Sequence, residues 1–291
     1  MNKKIIINYI CEVNYPTTSA YGLHVIKMCD AFAKQNKVNL ILPFSSAKKN
    51  KLDKDYLIKN NINYSTIFKK KMSFNFIKRI YFSILILKKF KQKKNEKVLY
   101  ISRSVIFAII ACLKKKNIIL ELHHELSGLT KFFYNILKIT GFLKKLKYIL
   151  IHRNLVKTFN LLNQKNYIVL DDAVDIKDFK NKSSKKFRNT CVYVGSFHKG
   201  KGLELIIKLA EKLKKFNFHI YGDKNFLNFN NIPKNIKIFN YIKYKNIPII
   251  LSKYHVVLMP YSDFVFGRLT NVNLVKSMSP LKMFDYLASG N

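Results

Sequence analysis

Apolar residues recur along this chain in two alternating rhythms. Short runs dense in Ile, Val, Leu and Tyr, such as "KKIIINYI" and "KVNLILPF", predict buried strands. Between them, apolar residues at helical spacing predict helices, as in "LHVIKMCDAFAKQ", where Val25, Met28, Cys29 and Phe32 share a face. Further on, "KVLYISRS", "NIILELHH" and "YIVLDDAVD" read as strands, separated by helices around "VIFAIIACLKKK" and "LVKTFNLLNQ". Strand–helix alternation with short loops predicts a parallel, doubly wound sheet. Residues 180–189, "KNKSSKKFRN", are polar and lack periodicity, which marks a linker. The alternation then restarts with strand "TCVYVGSF", helix "GLELIIKLAEKLKKF", strands "FHIYG" and "NIKIFNYI", a helix near "NIPIILSKY" and strand "HVVLMPY". The expected fold is α/β, with Rossmann-like domains over 1–179 and 190–291 facing a cleft. No short-period repeat interrupts it.

Composition adds a constraint on partners. The 291 residues suffice for two domains with their own cores, and 48% apolar content excludes a disordered chain. Lys and Arg number 54 against 16 Asp and Glu, a net charge of +38. Such a charge favours nucleic acid, an anionic membrane or phosphorylated small molecules. Lys, Asn and Ile recur throughout while Trp is absent, so AT-rich codon usage accounts for roughly half of the basic excess. No nucleic-acid-binding motif is present and the basic residues are spread over both halves, which argues against a specific nucleic-acid partner. Cys11, Cys29, Cys112 and Cys191 have no paired spacing and read as buried thiols of a reduced cytoplasmic protein. The N-terminal apolar run is short, strand-like and without a small-residue cleavage site, unlike a signal peptide. The apolar run Ile80 to Leu87 falls far short of the ~20 residues that span a bilayer. Two stretches, 68–97 and 131–150, mix basic with apolar residues. Either they bind anionic lipid from the cytoplasmic side, as a peripheral protein would, or they are helices with Lys-rich solvent faces.

Four places carry candidate chemistry. In "TSAYGLHVIKMCDAFA", Gly22 lies at a loop–helix junction, where it either admits a ligand to the backbone or serves a tight turn. In "VGSFHKGKG", Gly195, Gly200 and Lys201 satisfy G-x-x-x-x-G-K, but Gly202 stands where a P-loop needs the Ser or Thr that holds Mg²⁺. A glycine-rich loop carrying Lys199 and Lys201 at a helix start still suits a diphosphate. In "ELHHEL", His123 and His124 point to opposite strand faces, which argues against a metal pair, while one histidine at the strand's carboxyl end can address a ligand. In "SPLKMFDYLASGN", Ser279 is the expected N-cap and Pro280 the first helical residue. The amides of Leu281 and Lys282, with the Lys282 cation, would form a phosphate-binding helix start. Leu281, Phe284 and Leu287 should pack one face, and Asp285, about 5 Å further along the axis, could hold ribose hydroxyls.

Together with "VLDDAVD" and "VVLMPYS", these motifs resemble a family 4 glycosyltransferase of the GT-B fold, in that family's order along the chain. The resemblance implies transfer of a sugar from a nucleotide-sugar donor, with retention and without a metal or other cofactor, to a glycan or lipid-linked acceptor in surface polysaccharide or lipopolysaccharide synthesis. It implies that Gly22 approaches donor phosphate and acceptor, and that His123, or its neighbour His124, faces the reacting sugar. Lys201 would neutralise the diphosphate, Pro280 and Leu281 would offer it backbone amides, and Asp285 would bind ribose. Two positions depart from the pattern. Ser196 replaces an arginine after the "VG" glycine, and Ser277 replaces the first acid of a pair. Lys199, Lys276 or Arg268 could restore the missing positive charge. The family pattern continues past "ASG" with further strands and helices, so the resemblance implies a C-terminally truncated chain whose second domain is incomplete by roughly 60–100 residues; an inactive truncated fragment is an alternative. A basic nucleic-acid-binding protein is another.

Overall fold

The computed structural model describes residues 5–91, 95–180, 183, 185–198, 200–224, 231–265 and 273–290. The chain forms two compact units, Met1–Asp171 and Asp172–Asn291. The boundary lies ahead of the polar 180–189 stretch, so a 3-10 turn at Ile176–Phe179 belongs to the second unit.

In the first unit, strands β1 (Ile6–Ile10), β2 (Lys37–Leu42), β3 (Ile62–Thr66), β4 (Val98–Ser102), β5 (Ile118–Leu122), β6 (Lys147–Leu150) and β7 (Tyr167–Val169) form one parallel sheet in the order β3-β2-β1-β4-β5-β6-β7. Helices α1 (Ala20–Ala33), α2 (Lys49–Tyr56), α3 (Phe76–Lys89), α4 (Val105–Leu113), α5 (Gly128–Ile139) and α6 (Asn154–Thr158) connect them. The N-terminal apolar run is the central strand, paired on both edges, Ile6–Ile10 with Lys37–Ile41 and with Val98–Ser102. Strand side chains alternate between two covered faces. Ile7 and Tyr9 meet Val25, Ile26 and Cys29 of α1, whereas Ile10 faces Phe82, Phe107 and Leu155 on the other side. Side-chain caps start α1, α3 and α4: Ser19 accepts from Gly22 N (3.1 Å), Asn75 from Lys78 N (2.8 Å) and Ser104 from Phe107 N (3.3 Å). The sheet order reverses direction between β1 and β4, which places a ligand-binding crevice at their carboxyl ends.

The second unit repeats the plan with fewer strands. β8 (Thr190–Val194), α7 (Leu203–Lys212), β9 (Asn217–Tyr221), β10 (Ile236–Phe239), α8 (Ile247–Leu251), β11 (Val256–Val257) and α9 (Leu281–Ser289) give a parallel sheet in the order β10-β9-β8-β11. Tyr193, Leu203, Ile206 and Phe218 form the core of one face, and Val192, Val194, Leu251, Tyr254 and Tyr286 that of the other. All four cysteines are buried free thiols.

Several sequence expectations need correction. The helical pattern around 155–164 yields only the short α6. The stretch 131–150 is not one amphipathic segment: its last residues are the largely buried strand β6. Strand β3 and helix α2 lie in segments without a clear apolar rhythm. Among the described residues no helix is long and apolar enough to cross a membrane.

Candidate functional site

In the first unit, the carboxyl end of β5 gathers a hydrogen-bonded cluster. Residues two apart on a strand share a face, so Glu121 and His123 both turn toward α1, where His24 lies one residue after Leu23. Glu121 is 2% exposed. Its Oε2 accepts the Tyr9 hydroxyl, and its Oε1 accepts His123 Nε2 and lies 2.6 Å from His24 Nε2. Burial alone would raise the Glu121 pKa, but the bonds from His123 and His24 hold it well below the usual carboxylate range. Burial, reinforced by the Arg103 charge, pushes His123 down to about 3, so its ring is neutral at pH 7. A neutral imidazole that donates from Nε2 keeps its lone pair on Nδ1. His123 is therefore fixed as an acceptor at Nδ1, oriented by an anionic carboxylate behind it. His124 turns away and pairs with its neighbour's carbonyl, Nδ1 to Glu125 O at 2.7 Å.

His24, Glu121 and His123 offer ligand atoms within 4.8 Å of one another. Both ring nitrogens converge on one carboxylate oxygen, His123 Nε2 in a hydrogen bond and His24 Nε2 in an ion-pair contact at 2.6 Å. Beside it, Glu12 accepts Ser104 Oγ and pairs with Arg79 Nε at 3.1 Å, tying the β1–α1 loop to α3 and α4. Gly22 is used within the fold: its amide goes to Ser19 Oγ, its carbonyl to the Tyr15 hydroxyl (2.7 Å), and a Cβ there would lie 2.2 Å from Thr17 Cγ2.

In the second unit, the loop after β8 and the start of α9 meet. Lys282 folds back over β8. Its Nζ donates to the Tyr193 hydroxyl at 2.8 Å and lies 4.0 Å from the centre of that ring and 5.5 Å from that of Tyr261. Tyr193 in turn donates to Ser196 O at 2.7 Å. Lys201 Nζ stands 4.6 Å from the same Tyr261 ring. Two ammonium groups thus share an aromatic cage, and among the described residues neither has a carboxylate partner. Burial lowers Lys201 to about 8, and burial with the neighbouring Lys201 charge lowers Lys282 well below the usual lysine range.

Three glycines make this packing feasible. A Cβ on Gly195 would lie 2.0 Å from Lys282 Nζ. Gly200 and Gly202 have φ of +87° and +80°, and Cβ atoms there would strike Phe264 O and Pro260 O at 1.7 and 1.4 Å. The G-x-x-x-x-G-K spacing therefore seats Lys201 beside the 260–265 segment, with Gly202 as the left-handed N-cap of α7.

At α9 the cap differs from expectation. Pro280 is the N-cap and Leu281 the first helical residue, while Ser279 Oγ accepts from Asp172 N at 2.9 Å. Proline has no N–H to lose there, and Ser279 braces the start of the unit instead. First-turn amides at Leu281 and Lys282 have no intrahelical acceptor. The apolar face also shifts: Tyr286 is buried, whereas Leu287 is 66% exposed. Asp285 is partly exposed, one turn in, with its charge felt by Tyr244 and Tyr286. Ser277 is buried and Lys276 exposed. Lys199 and Arg268 lie outside the described residues. The structure thus brings Gly195, Lys201 and Lys282 together. Tyr193 and Tyr261, which the sequence did not single out, complete the cage; the strand signal of "TCVYVGSF" already placed Tyr193 one turn of pleat before Gly195.

No protein-family model and no curated protein matches the chain. Solved structures do. A glycosyltransferase from Rickettsia africae aligns with a TM-score of 0.60 at 17% identity, over 92% of this chain and 76% of that one. WaaG, a glycosyltransferase involved in lipopolysaccharide biosynthesis, aligns at 0.61 and 9% identity over 98% and 79%. TarM aligns at 0.59 and 11% identity over 87% and 79%. The chain has the GT-B fold these proteins share.

Proposed function

We propose that the protein transfers a sugar from a nucleotide-sugar donor to a glycan or lipid-linked acceptor, with Lys201 and Lys282 holding the donor diphosphate. The observation that carries this reading is the cage itself: two cations side by side, with aromatic walls and no carboxylate among the described residues. Like charges held that close repel, and an anion of two or more charges relieves both. The amides of Leu281 and Lys282 add oriented donors at a helix start. Lys282 is thus both a backbone and a side-chain contributor.

Cleaving the sugar–phosphate bond leaves negative charge on the diphosphate. Fixed cations and amides stabilise that charge most where it develops, in the transition state. The leaving phosphate oxygen then takes the proton of the attacking hydroxyl on the same face of the sugar, which retains configuration and requires no catalytic carboxylate. His123 accepts a sugar hydroxyl at Nδ1, and Asp285 holds the ribose. Gly22 contributes space for its loop rather than its amide. A metal is not required in this scheme, because the cage supplies the positive charge, and chelation should leave turnover unchanged. Biosynthesis of a surface polysaccharide or lipopolysaccharide is the setting suggested by the fold's presence in WaaG.

The test is calorimetric titration with UDP, GDP, ADP and pyrophosphate. At least one nucleoside diphosphate should bind, and Lys282→Met or Lys201→Met should weaken it by tenfold or more while leaving the folded circular dichroism spectrum intact. Binding that survives both substitutions would sink the assignment.

A further inference from the structure

We infer that helices α5 and α3 of the first unit form a docking surface for an anionic lipid bilayer. A helix in a globular protein ordinarily buries one apolar stripe and wets the other. α5 has two apolar stripes. Tyr134 and Leu137 face the core, while Leu129, Phe132, Ile136 and Ile139, at i, i+3, i+7 and i+10, face out. Phe132 is 58% and Ile139 85% exposed. The outward stripe continues onto α3 through stacked rings: Phe132 meets Phe133, and Phe133 stacks on Phe76 at 5.5 Å, next to Ile77, itself 74% exposed. A contiguous apolar, aromatic surface of this kind marks an interaction site.

Charge selects its occupant. Between residues 56 and 95 and between 126 and 170 the sequence contains no Asp or Glu. Exposed Lys69, Lys70, Lys71, Lys131, Lys144 and Lys145 flank the patch. Aromatic and aliphatic side chains rimmed mostly by lysines, with the exposed Glu125 as an acid beside Lys131 and Ile139, match the acyl–headgroup boundary of an anionic membrane. Both helices also leave the carboxyl edge of the sheet, where His123 lies. Arg79 of α3 binds Glu12, and Asn14 bonds Met72 (2.8 Å), fixing α3 to the β1–α1 loop. A bilayer on this surface would lie next to the edge that receives an acceptor. The inference does not rest on glycosyl transfer, because its assay contains neither donor nor acceptor.

The test is co-sedimentation of the full chain with vesicles of phosphatidylcholine alone or mixed with phosphatidylglycerol. The protein should pellet with the mixed vesicles only. The triple variant Phe132→Ser, Ile136→Ser, Ile139→Ser, checked for an unchanged melting transition, should lose at least about tenfold in partitioning. Lys131→Gln, Lys144→Gln, Lys145→Gln should lose a similar factor and serves as the readout if the serine variant does not fold. Lys208→Gln, Lys212→Gln, Lys215→Gln on and after α7 should bind as the parent does. The inference fails if the α7 variant loses as much as the patch variants, because diffuse charge then suffices. It also fails if the serine variant pellets normally, if light scattering shows that it merely dissolves a dimer, or if the patch variants weaken duplex DNA binding rather than lipid binding.

Discussion

At the scale of single residues, the sharpest test is a methyl group. Gly195→Ala places a Cβ where Lys282 Nζ now lies, 2.0 Å away. The clash is with the far end of a flexible side chain, so the lysine can swing out and stability should change by less than about 1 kcal/mol. Diphosphate affinity should nevertheless fall by tenfold or more, which titration against pyrophosphate will read. A second residue-scale expectation concerns pH. The Lys201 pKa is lowered from its ordinary value to about 8 by burial, and a bound anion favours the charged form and raises it again. Below pH 8 this lysine is protonated with or without ligand and adds no pH dependence of its own. Above pH 8 binding must protonate Lys201, on top of any proton Lys282 takes up, so its share of the affinity should fall by up to tenfold per unit; Lys201→Met should remove the part of the slope that sets in near pH 8. The strand–glycine–helix pattern made Gly195 and Lys201 legible, and the two-residue spacing made the shared face of Glu121 and His123 readable. What remained hidden were partners from distant segments. His24 reaches Glu121, and Tyr261 reaches Lys282, only through the fold, and no local rhythm announces either contact.

Elements carry a different kind of information. Parallel strands buried on both faces announce themselves as continuous apolar runs, and β1, β2, β4, β5, β8 and β9 were readable for that reason. β3, "INYST", is a half-exposed edge strand, and α2, "KNKLDKDY", is a polar surface helix, so neither has enough apolar residues to show a period. β6 was masked by the lysines around it. The docking of α9 departs from its apolar pattern because Tyr286, and not Leu287, is the side chain that is buried. The tyrosine matters because, among the described residues, β11 pairs with Cys191 and Val192 and leaves the end of β8 without a strand partner on that side. Tyr286 substitutes for the missing strand: its hydroxyl accepts from Val194 N at 3.2 Å and donates to Val194 O at 3.3 Å. Tyr286→Phe keeps the ring and orphans both backbone groups in a buried place. The expected loss is about 1–3 kcal/mol, measurable as a shift in the urea midpoint. A shift near zero would mean that water replaces the hydroxyl, and that α9 is held by its apolar contacts alone.

For the whole molecule, charge is the property that sequence shows most plainly and structure must localise. A surplus of 38 positive charges repels itself in the compact state. Added salt should raise the melting temperature, most steeply below about 0.1 M, where the screening length is still about 10 Å. That response belongs to every basic residue and says nothing about a site. The cage predicts a second, separable response. At matched ionic strength, pyrophosphate should stabilise the protein beyond chloride, by about 1.4 kcal/mol at ten times its dissociation constant. Lys282→Met should abolish this increment and leave the chloride curve unchanged, because one charge among so many barely alters the general repulsion. The same substitution removes a cation enclosed by Tyr193 and beside Lys201, so the unliganded variant should melt no lower than the parent. A variant that is equally or more stable without ligand, yet blind to pyrophosphate, would separate stored electrostatic strain from diffuse basicity. If pyrophosphate and chloride act alike on the parent protein, the two lysines are merely part of the general charge.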